Sequence, residues 1–419
     1  MATTTINQKD YVSPTRRRVM GFVFLGIAVL LWFLFARNVD PEAITTYGLA
    51  PGGAEQGIPD WIFTSLPILN SLALLCAGLG AYQLARGFGK RTNLMLGLVA
   101  ASFIFGFLTW ATSGATLNLA GLLRSALVKA VPLTIGALSG VLCERSGVVN
   151  IAIEGMMLTG AFIGAFVGSV TNIWVGLLSA VLSGALLAWV LAVLSIKYKT
   201  NQIIAGTVIN IFATGITSFL SAKFLQKYQY LNDPGRFPTI NIPVLSDIPI
   251  LGPIMFQHNM FVYAVYFFLI VLTVALYYTR WGLRTRSVGE HPKAADTLGI
   301  NVFRTRYLSV ILGGCMAGFG GAYFTLGSVG RFDEVMTAGR GFIGLAAMIF
   351  GNWNPVGSFG AGLLFGFFDA LSAKMAILKV PIPSEVMLMF PYIATMIALA
   401  GVVGRGQMPA ADGQPYEKE

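Results

Sequence analysis

Apolar runs of membrane-spanning length recur along nearly the whole chain, separated by short polar loops. A hydrocarbon core about 30 Å thick needs about 20 apolar helical residues to cross it. Such runs occupy 19–36, 61–85, 94–112, 173–194, 202–222, 259–278, 307–329, 356–373 and 385–404. Three stretches are less regular. Segment 114–143 starts amphipathic, with Arg124 and Lys129, then turns apolar at 130–143. That pattern predicts an interfacial helix followed by a span broken at Pro132. Residues 143–169 place Glu144, Arg145, Asn150 and Glu154 beside a small-residue apolar helix. The run 341–350 is short and leads into the turn Asn352-Trp353-Asn354-Pro355, which reads as a half-helix or re-entrant piece. The alternation of barrel strands is missing. The expected fold is all-α, a polytopic membrane protein of about 10–12 transmembrane helices.

Composition agrees with that reading. The chain is 55% hydrophobic and only 11% charged, where soluble domains carry about 25% charged residues. Its 49 glycines suit close helix packing in lipid. The net charge of +10 would suggest nucleic acid in a soluble protein. Here the cations gather before 19, at 86–91, at 195–201 and at 279–306, so they mark the cytoplasmic side and no nucleic-acid partner is expected. The intervening loops 37–60 and 223–258 are then external. The chain divides into a polar, disordered cytoplasmic tail (1–18), N-terminal transmembrane helices (19–112), a core (113–404) and a polar, disordered C-terminal tail (405–419). Run 19–36 follows Arg16-Arg17-Arg18 without a convincing cleavage site, so it reads as a retained anchor.

The polar groups inside the apolar segments carry any chemistry, because ionisable residues at membrane depth are costly and rare. Two interruptions, Glu144 to Gly155 and Arg331 to Gly341, each lead into a Gly/Ala-rich apolar helix. Matching interruptions in two halves suggest an inverted repeat and a transport site near the midplane. Candidate pathway residues are Asn150, Glu154, Asn210, Phe332 and Trp353. Glu154 and Asn150 share a helical face if the segment is helical; they clasp a hydroxylated substrate, or Glu154 pairs with Arg145 or caps a broken backbone. Asn210 either binds or glues helices. Phe332 and Trp353 offer rings for stacking, and interfacial anchoring is the other reading of Trp353. Asp369 reads as a proton relay or as a packing or cavity residue, and Arg331, Asp333, Glu334 and Arg340 as an external salt-bridged loop. Cys76, Cys143 and Cys315, with His258 and His291, have no metal-ligand spacing, so no metal site is expected. Neither a phosphate-binding loop nor a hydrolytic motif is present, so the chain is not expected to be an enzyme or to hold a cofactor.

The block 279–306 contains its own short helix. Pro292 suits a first helical turn, and Gly299 suits the position just past the end, where φ > 0 is wanted. Read by itself, it is a docking element for a cytoplasmic partner or an ordinary positive loop.

The stretches GALSGVLCERSGVVNIAIEGMMLTGAFIGAF, NQIIAGTVINIFATGITSFL and GLRTRSVGEHPKAADTLGINV resemble permease subunits of bacterial ABC importers for nucleosides and simple sugars, within the branched-chain amino acid and ribose permease superfamily. The resemblance covers about residues 120–400. It implies residence in the bacterial cytoplasmic membrane, with ATP used by separate ATPase subunits. It also implies a second permease or a copy of this chain, and an extracytoplasmic binding protein or lipoprotein. It makes 292–298 the coupling helix, with Gly289, Pro292, Ala294, Ala295, Asp296 and Gly299 at the ATPase contact. Lys293 stands where that motif usually has Glu. Nucleosides are the substrate class most suggested; sugars or branched-chain amino acids remain open, as does an ion-coupled carrier using Glu154 or Asp369.

Overall fold

The computed structural model describes residues 14–50, 58–378, 383, 385–386, 388–389, 392–393 and 407–418. The span expected at 385–404 falls mostly outside them. Among the described residues, ten helices are long and apolar enough to cross a membrane. The chain splits into two compact units, 1–121 with 374–382, and 122–373 with 383–419.

In the first unit α1 (Pro14–Leu30) takes in the last five residues of the expected polar tail, with Pro14 in a first-turn position where it lacks no needed bond. It packs on α2 (Ser65–Ala85), with α3 (Thr92–Ala111) alongside. The segments between these helices are not purely irregular. β1 (Ile44–Gly48) pairs antiparallel with β2 (Trp61–Thr64) and parallel with β3 (Thr116–Asn118). Residues 61–64, expected as the start of a span, are therefore strand. The buried Tyr47 gathers the edges of Trp61, Phe63 and Phe105 and hydrogen-bonds Thr109 Oγ1 at 3.1 Å.

The second unit holds α4 (Leu119–Glu144), α5 (Ile153–Val170), α6 (Ile173–Ala192), α7 (Gln202–Leu220), α8 (Leu251–Met255), α9 (Met260–Tyr278), α10 (Arg280–Glu290), α11 (Pro292–Thr297), α12 (Val302–Ala322), α13 (Arg340–Phe350) and α14 (Pro355–Ile377). A hairpin of β4 (Thr239–Asn241) and β5 (Gln257–Asn259) sits in the loop before α9. Helix α12 lies against both α5 and α6. The crossing is close because glycines face backbone: a Cβ on Gly314 would lie 2.5 Å from the Gly184 carbonyl, and one on Gly321 2.0 Å from that of Met157. Without a hydrophobic drive between helices in lipid, such contact is what holds a bundle together.

The expectation of an interfacial helix and a span broken at Pro132 is overturned: α4 is continuous for 26 residues with Pro132 inside it. A mid-helix proline deprives the carbonyl four residues earlier of its donor. That carbonyl belongs to Val128, and the Tyr323 hydroxyl donates to it at 2.9 Å. The helix tolerates the proline because a neighbour replaces the lost bond.

Candidate functional site

The two interruptions seen in the sequence meet each other. After α12 the chain has no helix over 331–339. It runs antiparallel to α5, with the Phe332 ring edge-on to Phe162 at 5.2 Å, before Thr337 and Gly339 reach Glu154. One Glu154 oxygen accepts from Thr337 Oγ1 at 2.6 Å and from the Gly339 amide at 2.8 Å; the other accepts from the Gly341 amide at 2.6 Å. These amides begin α13, whose first turn has no intrahelical acceptors, and a carboxylate there is favoured by the helix dipole. Glu154 thus caps a broken backbone and does not pair with Arg145. Gly341 permits the approach, since a Cβ would stand 2.6 Å from the Glu154 Cα.

The other candidates are also held by protein. Asn210 Oδ1 accepts from the Gly155 amide at 2.8 Å, and its Nδ2 donates to the Ile151 carbonyl at 2.9 Å, which pins α7 to the start of α5. Asn150 is fully buried, with Nδ2 on Cys143 Sγ at 3.4 Å. Phe332 exchanges two backbone bonds with the Asn232 amide. Trp353 Nε1 donates to Glu144 Oε2 at 2.5 Å, and its carbonyl accepts from Arg145 Nε at 2.8 Å. Asn201 caps α7, and Gln202 accepts from the Val149 amide.

A cavity of about 270 Å³ opens beside this crossing, lined by Leu133, Ile343, Phe365, Arg340, Asp369 and Tyr392. Leu133 is midway along α4, so the cavity lies at membrane depth. Asp369 forms an ion pair with Lys129 at 2.7 Å, and the Arg340 guanidinium lies over the Phe324 ring at 5.6 Å. Arg340 therefore does not join the salt-bridged loop expected for it, where Arg331 pairs with Asp333 at 3.2 Å. Sequence spacing could not show this, because Lys129 and Asp369 are 240 residues apart.

The basic block folds as two helices rather than one. Thr279 caps α10, and His291 Nδ1 accepts from the Ala294 amide to start α11, with Pro292 at the first position. Gly299 follows at φ +80°, as its placement predicts. Ala295 is turned inward against Val288, Val302 and Tyr416, while Lys293, Ala294 and Leu298 face outward. Gly289 is buried too: a Cβ would lie 2.3 Å from the Arg145 carbonyl.

The C-terminal tail is not disordered as expected. Residues 407–418 lie on the side of the basic block. The Ala411 amide donates to the Gly289 carbonyl at 2.9 Å, and Arg306 Nη1 donates to the Gln414 carbonyl at 2.9 Å. Asp412 is buried facing Glu144, with Arg306 nearby. Burial pushes the Asp412 carboxyl up to about 7, against the opposing pull of the Glu144 carboxyl, the Gly413 amide and the Arg306 guanidinium. The Gly413 amide and the Glu144 carboxyl face its oxygens, and two carboxyls can share a hydrogen bond only if one is protonated. A polar tail buries these groups because their partners lie more than a hundred residues away, where composition gives no signal.

A bundle of apolar helices with a discontinuous crossing, a charged cavity beside it and a structured basic loop is the architecture of a polytopic membrane protein. Residues 122–399 match the family described as branched-chain amino acid transport system / permease component, and the chain belongs to it. The match starts where the second compact unit starts. The chain is 41% identical to the guanosine ABC transporter permease protein NupQ of Bacillus subtilis, over 70% of this chain and 95% of that one. It is 40% identical to the nucleoside ABC transporter permease protein NupC of Lactococcus lactis, over 70% of this chain and 95% of that one. It is 24% identical to the guanosine ABC transporter permease protein NupP of Bacillus subtilis, over 65% of this chain and 81% of that one. No solved structure matches. As an ABC permease it is a multi-pass membrane subunit that works with ATPase and binding-protein partners.

Proposed function

We propose that this chain forms one half of the translocation path of an importer for nucleosides, driven by ATP hydrolysis on a separate subunit. The observation that carries the path is the charged, ring-lined cavity at membrane depth. Phe365 and Tyr392, with ring centroids 6.3 Å apart, suit a planar base, and Arg340 and Asp369 suit ribose hydroxyls and ring nitrogens. The likeness to permeases named for guanosine and nucleosides supports the substrate class. Glu154 serves the path by anchoring α13, which brings Arg340 to the cavity; Asn150, Asn210, Phe332 and Trp353 hold the same crossing in place. The ATPase docks on the block of Gly289, Pro292, Ala294, Ala295, Asp296 and Gly299. Its contact is made by the outward face of α11, and Gly289 and Ala295 seat that helix from behind. Bacillus subtilis has two guanosine permeases similar to this chain, which supports a second, distinct permease as partner.

Purification from mild detergent is expected to bring down an ATPase and a second permease. Uptake of radiolabelled guanosine is expected to survive a protonophore when ATP is retained. Loss of uptake under those conditions, with no ATPase recovered, would replace this reading with an ion-coupled carrier.

A further inference from the structure

The ordered tail touches α10, α11 and α12 and the turns at Lys199 and Asn352. The Gln407 amide donates to Asn352 Oδ1 at 2.7 Å, beyond α13, and the Ala410 amide to Glu290 Oε2 at 3.2 Å, at the end of α10. Glu417 pairs with Lys199, between α6 and α7, and Lys418 Nζ lies 3.9 Å from Asp296 on α11. Tyr416, 6% exposed, closes the apolar cluster of Val288, Ala295 and Val302 and packs its ring on Phe303 at 5.4 Å. Gly147 leaves room for it, since a Cβ there would stand 3.1 Å from the Ala411 carbonyl.

Helix α11 is six residues long, far below the length at which a helix holds itself. Its orientation depends on what its inner face packs against. Two walls come from α10 and α12; the third is Tyr416. The buried Glu144, Asp412 and Arg306 group costs desolvation and adds little net stability. Its effect is to place the tail in one register.

We infer that residues 407–418 are a positioning strap for the ATPase-docking helix, holding the outward face of α11 so that force applied there reaches α12 and α4. The inference rests on the ABC permease reading. Without the strap α11 still docks an ATPase, but rocks against α10 and transmits less of its motion.

The test uses the assembled transporter in liposomes and counts guanosine imported per ATP hydrolysed. Deleting residues from 407 onward is expected to leave ATPase co-purification intact and lower that ratio at least about fivefold. Tyr416→Ala is expected to lower it less, and Tyr416→Phe, which keeps the packed ring, to restore it. An unchanged ratio in the deleted complex overturns the strap. If the deletion reduces the amount in the membrane, Tyr416→Ala decides alone: a fall supports the strap and an unchanged ratio overturns it. Failure of the underlying reading looks different, because the unmodified chain then brings down no ATPase, and both proposals fall.

Discussion

Tyr323 donates its hydroxyl to the carbonyl of Val128, the acceptor that Pro132 orphans within α4. Tyr323→Phe keeps the ring and removes the donor. It is expected to cost about 1–3 kcal/mol, since a buried carbonyl is left unmade. Thermal unfolding in detergent checks this; an unchanged midpoint would mean that the carbonyl finds another donor.

Glu154→Gln is expected to weaken the start of α13. The amide keeps one acceptor oxygen but turns an NH2 toward either Gly341 or the Thr337–Gly339 pair, and hydrogen bonds to a charged acceptor are worth about 1.5–3 kcal/mol. Faster hydrogen exchange over 337–343 and a lower maximal uptake are the expected readouts. Wild-type exchange there would remove Glu154 as the anchor of the crossing.

Glycines in this chain divide by what a methyl would meet. Gly314→Val is expected to lower the folded yield sharply, because even a Cβ would stand 2.2 Å from that of Ala188, and overpacking a tight contact costs about 1–3 kcal/mol or more. Gly215→Ala in α7 meets nothing within 4 Å and is expected to stabilise by about 0.5–1 kcal/mol through helix propensity. Equal effects on melting temperature would contradict the packing.

Asp412 makes tail docking pH-dependent. Burial pushes its carboxyl up to about 7 when docked, against the ordinary 3.8 when released. The docked form therefore binds the extra proton, so its stability is fully present below 3.8 and is lost as pH rises to about 7. The titratable groups facing it are Glu144 and Cys143 on α4 and Arg306 on α12. Exchange protection of the Ala411 amide, corrected for intrinsic rate, is expected to fall between about pH 4 and 7 and to flatten in Asp412→Asn. A pH-independent wild type would show that the carboxyls do not share a proton.

Leu298, 81% exposed, and Ala295, 2% exposed, separate two ways of disturbing α11. Leu298→Asp is expected to weaken ATPase recovery without altering tail exchange. Ala295→Arg is expected to displace Tyr416 first, raising tail exchange, and to uncouple hydrolysis from uptake as a consequence. If Ala295→Arg leaves tail exchange unchanged, the inward placement of Ala295 is wrong.

Local chemistry was readable from the chain alone. Pro292 and Gly299 bracket α11 because their backbone preferences act within a turn, and the apolar runs gave most spans. The interruptions at Glu154 and Arg340 were also visible, but not that one caps the other, since their contact joins residues 183 apart. Pro132 misled because its remedy, Tyr323, is 195 residues from Val128. The strands of the first unit escaped notice because three to five residues carry too little period, and their pairing is non-local. Arg340 read as a loop cation because nothing adjacent shows that the chain has turned inward.

The strap has a consequence for the order of biogenesis. Residues 407–418 leave the ribosome after α10, α11 and α12 have already been made, and their bonds to Arg306 and Glu290 close over 108 and 120 residues. The inner face of α11 stays open to water until Tyr416 arrives. On the strap reading, a nascent subunit has α11 firmly seated only late in its synthesis, so an ATPase that docks earlier finds a helix that cannot yet pass its motion on.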